Sequence, residues 1–596
     1  MKAQGSVSKK SDSLYNKIDN YSQKKFFLKI IHNFIFRKID NPQRQKNKLQ
    51  KAIKLKQLSN TKYNCKWIRK ITIETLDPFG YSSENEKLAP TSKLENIGNS
   101  LHLKTKIATI RNLLLFKVNE ELDSIKVKES ERIIRSQPYL NNVIIKVKPI
   151  PNSLDSVDVY LRVLDTWSTI PTGAISALKA NLALTEQNFF GLGHELKLNY
   201  IKSFENNSTN SFGYESKYSI TNFRRTFINA TFSFNRDLLN NSFKSVKFER
   251  PFFSILNRWA GGINYDFSDN LVYNADAENS ALLQNIKKTY YSFWGANAVK
   301  IKNKQSEFWK NTNLVFAIGY TNIDYLDRPS NECSSIFYYC SSKSILSTIG
   351  ISTQNYYQDR YLFRFGLIED IPYGKVFSIT SGAEIISNKT RAYLGGKFSY
   401  GNYFDFGYLQ ANIEAGSFLT KNTPMQTTYK LEVNYFTKLF SIRKWKFRQF
   451  IKPVILLGVN RLNSLNDRLN LNEINGIPGF SNTLITGVNK FLATFQTQSY
   501  NQRNWYGFNF SPFINLTFGL LDQGNYFFSN KVYTQIGVGV LVNNKYLVFN
   551  SFQISFSFYP SFPLNDTNIF KTNAFQNSNI EFKDFLINQP SFISYQ

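Results

Sequence analysis

Few residues in this sequence stand where covalent chemistry could be done. An enzyme needs a nucleophile, a base and a group that orients the base. The chain has no Gly-x-Ser-x-Gly elbow, no His-Glu-x-x-His pair, no Walker loop and no Gly-x-Gly-x-x-Gly after a strand. Gly191-Leu192-Gly193 is the nearest glycine-rich candidate, and a hairpin turn explains it better than a phosphate cradle; His194 then reads as a hydrogen-bonded turn histidine. A metal site is poorly supplied, because Cys65 is remote from Cys333 and Cys340 and the three histidines (His32, His102, His194) do not cluster with that pair. Cys333 and Cys340 could close a small loop disulfide or remain two free thiols. Glu414 and Glu432 fall on the polar faces of their segments and look like charges lining an interior, not an acid/base couple. The expectation is a protein without catalytic residues and without a cofactor or metal.

The elements that carry these residues are set by a two-residue rhythm from about Gly173 to the C-terminus. Ile228, Ala230, Phe232 and Phe234 interleave with Asn229, Thr231, Ser233 and Asn235. Phe552, Ile554, Phe556 and Phe558 do the same with Ser551, Gln553, Ser555 and Ser557. Phe508, Phe510, Ile514, Leu516 and Phe518 lie opposite Asn509, Ser511, Asn515 and Thr517. A strand points successive side chains to opposite faces, so each segment has one apolar and one polar face. A soluble sandwich alternates in the same way. Segments of about ten residues, with Phe and Tyr crowding the apolar face, instead suit strands that cross a bilayer around a hydrated interior.

Composition is compatible with this. Mean hydropathy is −0.33 over 596 residues, and half of every barrel strand is polar, so the average is uninformative. No run of about 18 apolar residues exists, which excludes an ordinary membrane-spanning helix. Lys and Arg number 73 against 43 Asp and Glu, a net +30. Much of the excess lies in an N-terminal arm, residues 1–66, with Lys24, Lys25, Arg37, Lys38, Arg44, Lys46, Lys48, Lys51 and Lys54. Such an arm can bind anionic headgroups or an acidic partner, or stay solvated. Nucleic acid is not expected, since no recognisable binding module accompanies the charge. No signal peptide is evident. The apolar stretch 26–36 is broken by Lys29, His32 and Asn33 and reads as a short amphipathic helix, either lying on a membrane surface or docked on the next domain.

Residues 67–167 change to a mixed texture. Ile68, Ile71 and Ile73 begin a strand that ends at the turn Asp77-Pro78-Phe79-Gly80. Helical spacing follows in Ile107–Leu115 and in Val127–Ser136, then strands at Val143–Val147 and Val157–Val163. The order β-α-α-β-β predicts one small α+β domain.

With these residues the order resembles a POTRA domain, the periplasmic module of the BamA/TamA family of outer-membrane proteins. The resemblance rests on Ile110–Phe116, Asn119–Asp123, Glu129–Arg135 and Tyr139–Val143, and on Leu76–Tyr81 in the form found in Bacteroidetes-type bacteria. Gln187–Leu196 is similar to the family's turn between its first two barrel strands, built here on Asn188, Gly191 and Gly193. Direct counting finds sixteen to eighteen alternating segments in 173–596, and the resemblance implies sixteen. The fold expected is therefore mainly β, a transmembrane antiparallel barrel of about sixteen strands preceded by one POTRA domain. The loop between Leu462 and Asn489 matches, at Ile477, Gly479 and Phe480, a family motif that folds back into the barrel. Pro478 replaces its arginine, and Asn515 stands where the arginine's acidic partner is expected.

By this resemblance the protein inserts or translocates client proteins at the outer membrane, with the POTRA domain in the periplasm. A passive channel or surface scaffold on the same barrel is the competing expectation. The partners implied are outer-membrane lipids, unfolded outer-membrane or exported clients, and accessory lipoproteins. Client capture is expected at the edge strand bearing Val143, Ile145 and Val147, and the barrel seam at the closing segment bearing Phe585 and Tyr595. There Pro590 removes a ladder donor, which points either to a weakly paired seam or to an ordinary edge irregularity.

Overall fold

The computed structural model describes residues 63–596 apart from 92, 152–154, 176–178, 205–209, 274–282, 302–310, 329–338, 421–422, 463–466, 473–474, 481–484, 502–507, 523–530, 545–550, 562–568, 574, 578–579 and 581. The basic arm and its amphipathic stretch, and Cys333, lie outside the described residues. These residues divide into two compact units, one ending at Asn240 and the other formed by 241–543 and 551–596. The division falls within the 173–596 span read as one barrel.

The first unit begins with an α+β domain. Strand β1 (Trp67–Leu76), helices α1 (Lys93–Leu101), α2 (Ile107–Asn112) and α3 (Ser124–Arg135), and strands β2 (Leu140–Pro149) and β3 (Ser156–Asp165) follow in order. The sheet runs β1-β3-β2, with β3 parallel to β1 and antiparallel to β2. Helix α3 starts where the Asp123 carboxylate accepts from the Ile125 amide, which satisfies one of the amides a helix leaves unpaired at its start. It buries Val127, Ser130 and Ile134, an i, i+3, i+7 stripe, and packs on β2. Helix α1 is an addition to the expected order. Its stretch, Lys93-Leu94-Glu95-Asn96-Ile97-Gly98-Asn99-Ser100-Leu101, is short of apolar residues, and it is held by tertiary contact. Gly98 leaves room for the Phe79 ring, and Asn99 exchanges hydrogen bonds with the Phe79 backbone.

Five antiparallel strands complete this unit: β4 (Thr169–Ile175), β5 (Lys179–Phe189), β6 (His194–Ser203), β7 (Phe212–Ile220) and β8 (Asn229–Arg236).

The second unit is an antiparallel meander. It runs through β9 (Ser242–Arg250), β10 (Trp259–Tyr273), β11 (Leu283–Lys300), β12 (Thr312–Asp327), β13 (Ser342–Arg360), β14 (Ile368–Ile386), β15 (Lys389–Phe404) and β16 (Gly407–Leu419). It continues through β17 (Pro424–Thr437), β18 (Phe440–Ile442), β19 (Trp445–Val459), β20 (Asn489–Asn501), β21 (Phe508–Asp522), β22 (Tyr533–Asn544), β23 (Ser551–Tyr559) and β24 (Ile569–Thr572). Strand β18 is three residues long and β17 also pairs directly with β19. The two units together show 21 antiparallel strands among the described residues, five in the first and sixteen in the second, where sixteen were expected in all. A two-residue rhythm does not mark where a turn cuts it. The bend at 221–228 is made by Asn222, Arg224, Arg225 and Phe227 at positive φ, without glycine.

The polarity of the strands is inverted relative to a soluble core. On β13, Ile345 and Ile349 are 56% and 48% exposed, while Ser344, Thr348, Ser352 and Gln354 are buried. The next strands repeat the arrangement, with Phe377, Ile379, Phe398 and Ile413 outward and Ser378, Ser399, Gln410 and Asn412 inward. Phe510 and Ile514 face out and Asn509, Asn515 and Thr517 in, as the rhythm predicts. Among the described residues no helix is long and apolar enough to cross a membrane, which says nothing of strands.

Candidate functional site

Asn188 is completely buried at the turn between β5 and β6, where that hairpin meets the α+β domain. Its amide donates to the Leu103 carbonyl (3.2 Å) and the Thr105 hydroxyl (2.9 Å), and its oxygen accepts from the Gly193 amide (2.8 Å). The Gly191 carbonyl accepts from the Lys106 amide and the Thr109 hydroxyl at the start of α2. Gly191 and Gly193 both have positive φ, +71° and +69°, and a Cβ on Gly193 would lie 2.5 Å from the Tyr139 hydroxyl. The motif needs glycine for both backbone sign and space. Burial, with the Asp165 charge nearby, pushes the Tyr139 phenol well above its ordinary value, so it stays protonated. His194 Nδ1 lies 2.7 Å from the Tyr218 hydroxyl, a satisfied turn residue.

Behind this turn, the Asp165 carboxylate accepts from the Thr105 amide (2.8 Å) and lies 3.0 Å from His102 Nε2, with both side chains essentially inaccessible. The second turn of the unit, 221–228, grips the same domain. Asn222 donates to the Asn112 carbonyl (2.8 Å), and Arg225 donates to the Leu114 (3.2 Å) and Phe116 (3.0 Å) carbonyls just beyond α2, where a cation also meets the negative helix end. The sequence reading missed Asn222, Arg225, His102 and Asp165, because none sits in a glycine-marked turn or a recognisable motif.

The domain's two sheet edges differ. The start of β1 is covered by segment 119–122, with Ile68 donating to the Glu120 carbonyl and Asn119 to the Ile68 carbonyl. On the far side of β2 no further strand is paired among the described residues. Val143 and Ile145 point into the core at 2% and 0% exposure, and Val147 is half-buried. What this edge offers an incoming chain is its backbone, the exposed Lys146 and Lys148 and the half-buried Val147, not the side chains of Val143 and Ile145. On the neighbouring surface the Arg69 guanidinium holds the Asp158 carboxyl below the usual carboxylate range through a 3.0 Å hydrogen bond from Nε.

In the second unit the loop carrying Ile477 and Phe480 packs on the concave, polar face. Ile477 and Phe480 are 0% and 1% exposed, among Leu456, Leu469, Leu471, Leu492 and Tyr559. The Pro478 carbonyl accepts from the Tyr559 hydroxyl (2.5 Å) and the Gly479 carbonyl from Lys571 (2.6 Å). Gly479 has φ +72°. Asn515 is not brought to this loop by hydrogen bonding; it donates to Gln496 (3.3 Å) and accepts from Thr517 (3.1 Å).

Phe585 and Tyr595 overturn the seam expectation. Among the described residues the last strand is β24, and those beyond it run without regular structure across the concave face. Phe585 is fully buried among Phe252, Trp294, Val315 and Val376. Tyr595 donates to the Val488 carbonyl under the Arg461 guanidinium. The physical cause is polarity: this segment bonds to buried Ser, Gln and Glu side chains, which a lipid-facing strand could not reach. Glu432 lies on this face between Lys583 and Lys452 (3.6 Å), and Glu414 faces Lys397 at 3.6 Å. Cys340 is disulfide-bonded, and Cys65 is a free, exposed thiol.

No family model matches the chain, and no curated protein sequence matches it. Solved structures do. BamA from Haemophilus ducreyi lacking POTRA domains 1–3 is similar at 14% identity and a TM-score of 0.30, over 86% of this chain and 82% of that one. CdiB from Acinetobacter baumannii is similar at 10% identity and 0.38, over 94% and 97%. CdiB from Escherichia coli is similar at 9% identity and 0.34, over 93% and 94%.

Proposed function

We propose that this chain is an outer-membrane assembly or translocation factor of the BamA/TamA kind, its strands crossing the outer membrane and its α+β domain serving as a periplasmic POTRA module. One observation carries the reading: an α+β domain whose β2 edge pairs with no further strand among the described residues is clamped, through Asn188 and Arg225, to the first turns of a strand array whose outward face is apolar. An extended client adds to a free edge by main-chain hydrogen bonds. A strand array beside it can then pair client backbone groups that lipid would leave unsatisfied. The work is non-covalent, and its partners are lipid, unfolded clients and accessory lipoproteins.

Reconstitution into liposomes tests it: the protein should accelerate the folding of a client barrel. A photo-crosslinker at Lys146 or Lys148 should capture that client, while one at Tyr160 on the central strand β3 should not. Ion conductance without any folding effect would favour the second reading, a passive channel or scaffold. That reading is supported by the inner loop, which is held by backbone carbonyls rather than by an arginine pair.

A further inference from the structure

The described residues of 575–595 (575–577, 580 and 582–595) occupy the concave face of the second unit in a way that resembles a bound peptide more than a strand. Side chains of five strands hold the segment by its main chain. The Phe575 carbonyl accepts from Gln553 and Ser555 (both 2.8 Å), and the Asn577 carbonyl from Gln496 (2.8 Å) and Gln498 (3.1 Å). The Lys583 carbonyl accepts from Gln410 (2.7 Å). Phe585 donates to Gln354 (2.7 Å) and accepts from Ser352 (2.5 Å), and the Ile593 amide donates to the Tyr393 hydroxyl (2.7 Å). Bonds to amides and carbonyls do not read side-chain identity.

The anchors are apolar and each has a recess. A Cβ on Gly401 would lie 2.5 Å from the Phe585 ring, and one on Gly416 would lie 2.9 Å from Ile593. Gly537 and Gly458 leave the same room under Phe575 and Tyr595. Phe592 sits edge-on to Tyr393, with ring centroids 4.8 Å apart. Beside these bonds the buried Asn412, Ser399 and Asn434 side-chain oxygens, on the same face, make no hydrogen bond among the described residues, polar capacity that the described part of this segment does not use. The described residues of the segment contribute no strand to the ladder, so they can leave without unzipping the sheet.

We infer that the concave face is a track for extended polypeptide, and that the C-terminal segment is its resident occupant in cis, displaced when a second extended chain of aromatic and aliphatic anchors competes. The inference is independent of insertion activity. A protein that binds peptide on this track yet leaves client folding unaccelerated keeps it and loses the function proposed above.

The test uses the full chain in detergent micelles. Benzoylphenylalanine in place of Phe585 should crosslink to β10–β14, and excess carboxymethylated, permanently unfolded α-lactalbumin should lower that yield severalfold. An unchanged yield at saturating polypeptide overturns the inference. Independently, the full chain carrying Phe585→Ala, Phe592→Ala and Tyr595→Ala should bind a fluorescein-labelled peptide of residues 573–596 at least tenfold more tightly than the parent does. Equal binding by the two proteins overturns it as well.

Discussion

At the residue scale the most informative side chain is Asn188. It is an uncharged residue whose three hydrogen bonds hold together a turn and a domain. Buried amides left without partners cost about 1–3 kcal/mol each. Asn188→Ala should therefore loosen the joint by an amount in that range without unfolding the α+β core, which has its own apolar residues. Hydrogen exchange reports it: amides from Thr105 to Asn112 should exchange faster in the variant, while those of β3 should not change. A joint held mainly by Arg225 and Asn222 would show no such selectivity. Asn188 was legible in the sequence because it precedes two glycines. Its role as a hook was not, since its partners in the α+β domain, Leu103 and Thr105, lie more than 80 positions away.

At the element scale, the loop carrying Ile477 and Phe480 shows how an irregular segment is made rigid. Among its described residues a single bridge, Leu469 to Gly487, is its ladder pairing, so burial and backbone capture must do most of the holding. Phe480 supplies the first, with its ring 5.6 Å from Tyr533, and Tyr559 and Lys571 supply the second. Phe480→Ala removes a fully buried aromatic, a change that costs about 3–5 kcal/mol in well-packed sites. The loop should then detach before the strands do. Limited proteolysis should cut first between Leu462 and Asn489 in the variant and nowhere new in the parent. The motif that points to this loop is local in sequence, whereas Asn515 bonds Gln496 and Thr517 because register along β21 sets which residues face β20.

At the scale of the whole molecule the governing feature is polarity turned inside out. Ile349 on β13 faces away from the buried Ser and Gln side chains, beside Phe316 and Ile379 on its cross-strand neighbours. If that face meets lipid, Ile349→Arg should cost about 2–4 kcal/mol near the bilayer midplane, whereas a water-exposed strand position usually changes by less than about 0.5 kcal/mol. Urea-dependent folding into lipid vesicles distinguishes the two, and a neutral result would remove the membrane reading. The 21 strands also exceed the sixteen taken from the resemblance. Residue rhythm reports which face a side chain takes, and it is silent on where a stave stops.

By itself the sequence determined everything that depends on local alternation or local spacing: the strand-rich second part, the two faces of its segments, the mixed domain before it, and the glycine-marked turn at 188–193. Period and turn chemistry are written in neighbouring residues, so no tertiary contact is needed to read them. Only the tertiary structure decided which long-range partners those residues meet. Helix α1 is set by Phe79, the second hook by Asn222 and Arg225, and the course of residues 575–595 by polar side chains spread over five strands. That last segment has aromatics and a proline like a closing strand. It lies inside the sheet's curve because its backbone finds Ser352, Gln354, Gln410 and Gln496 there, and no nearest-neighbour pattern records a surface assembled from residues some 80 to 230 positions away.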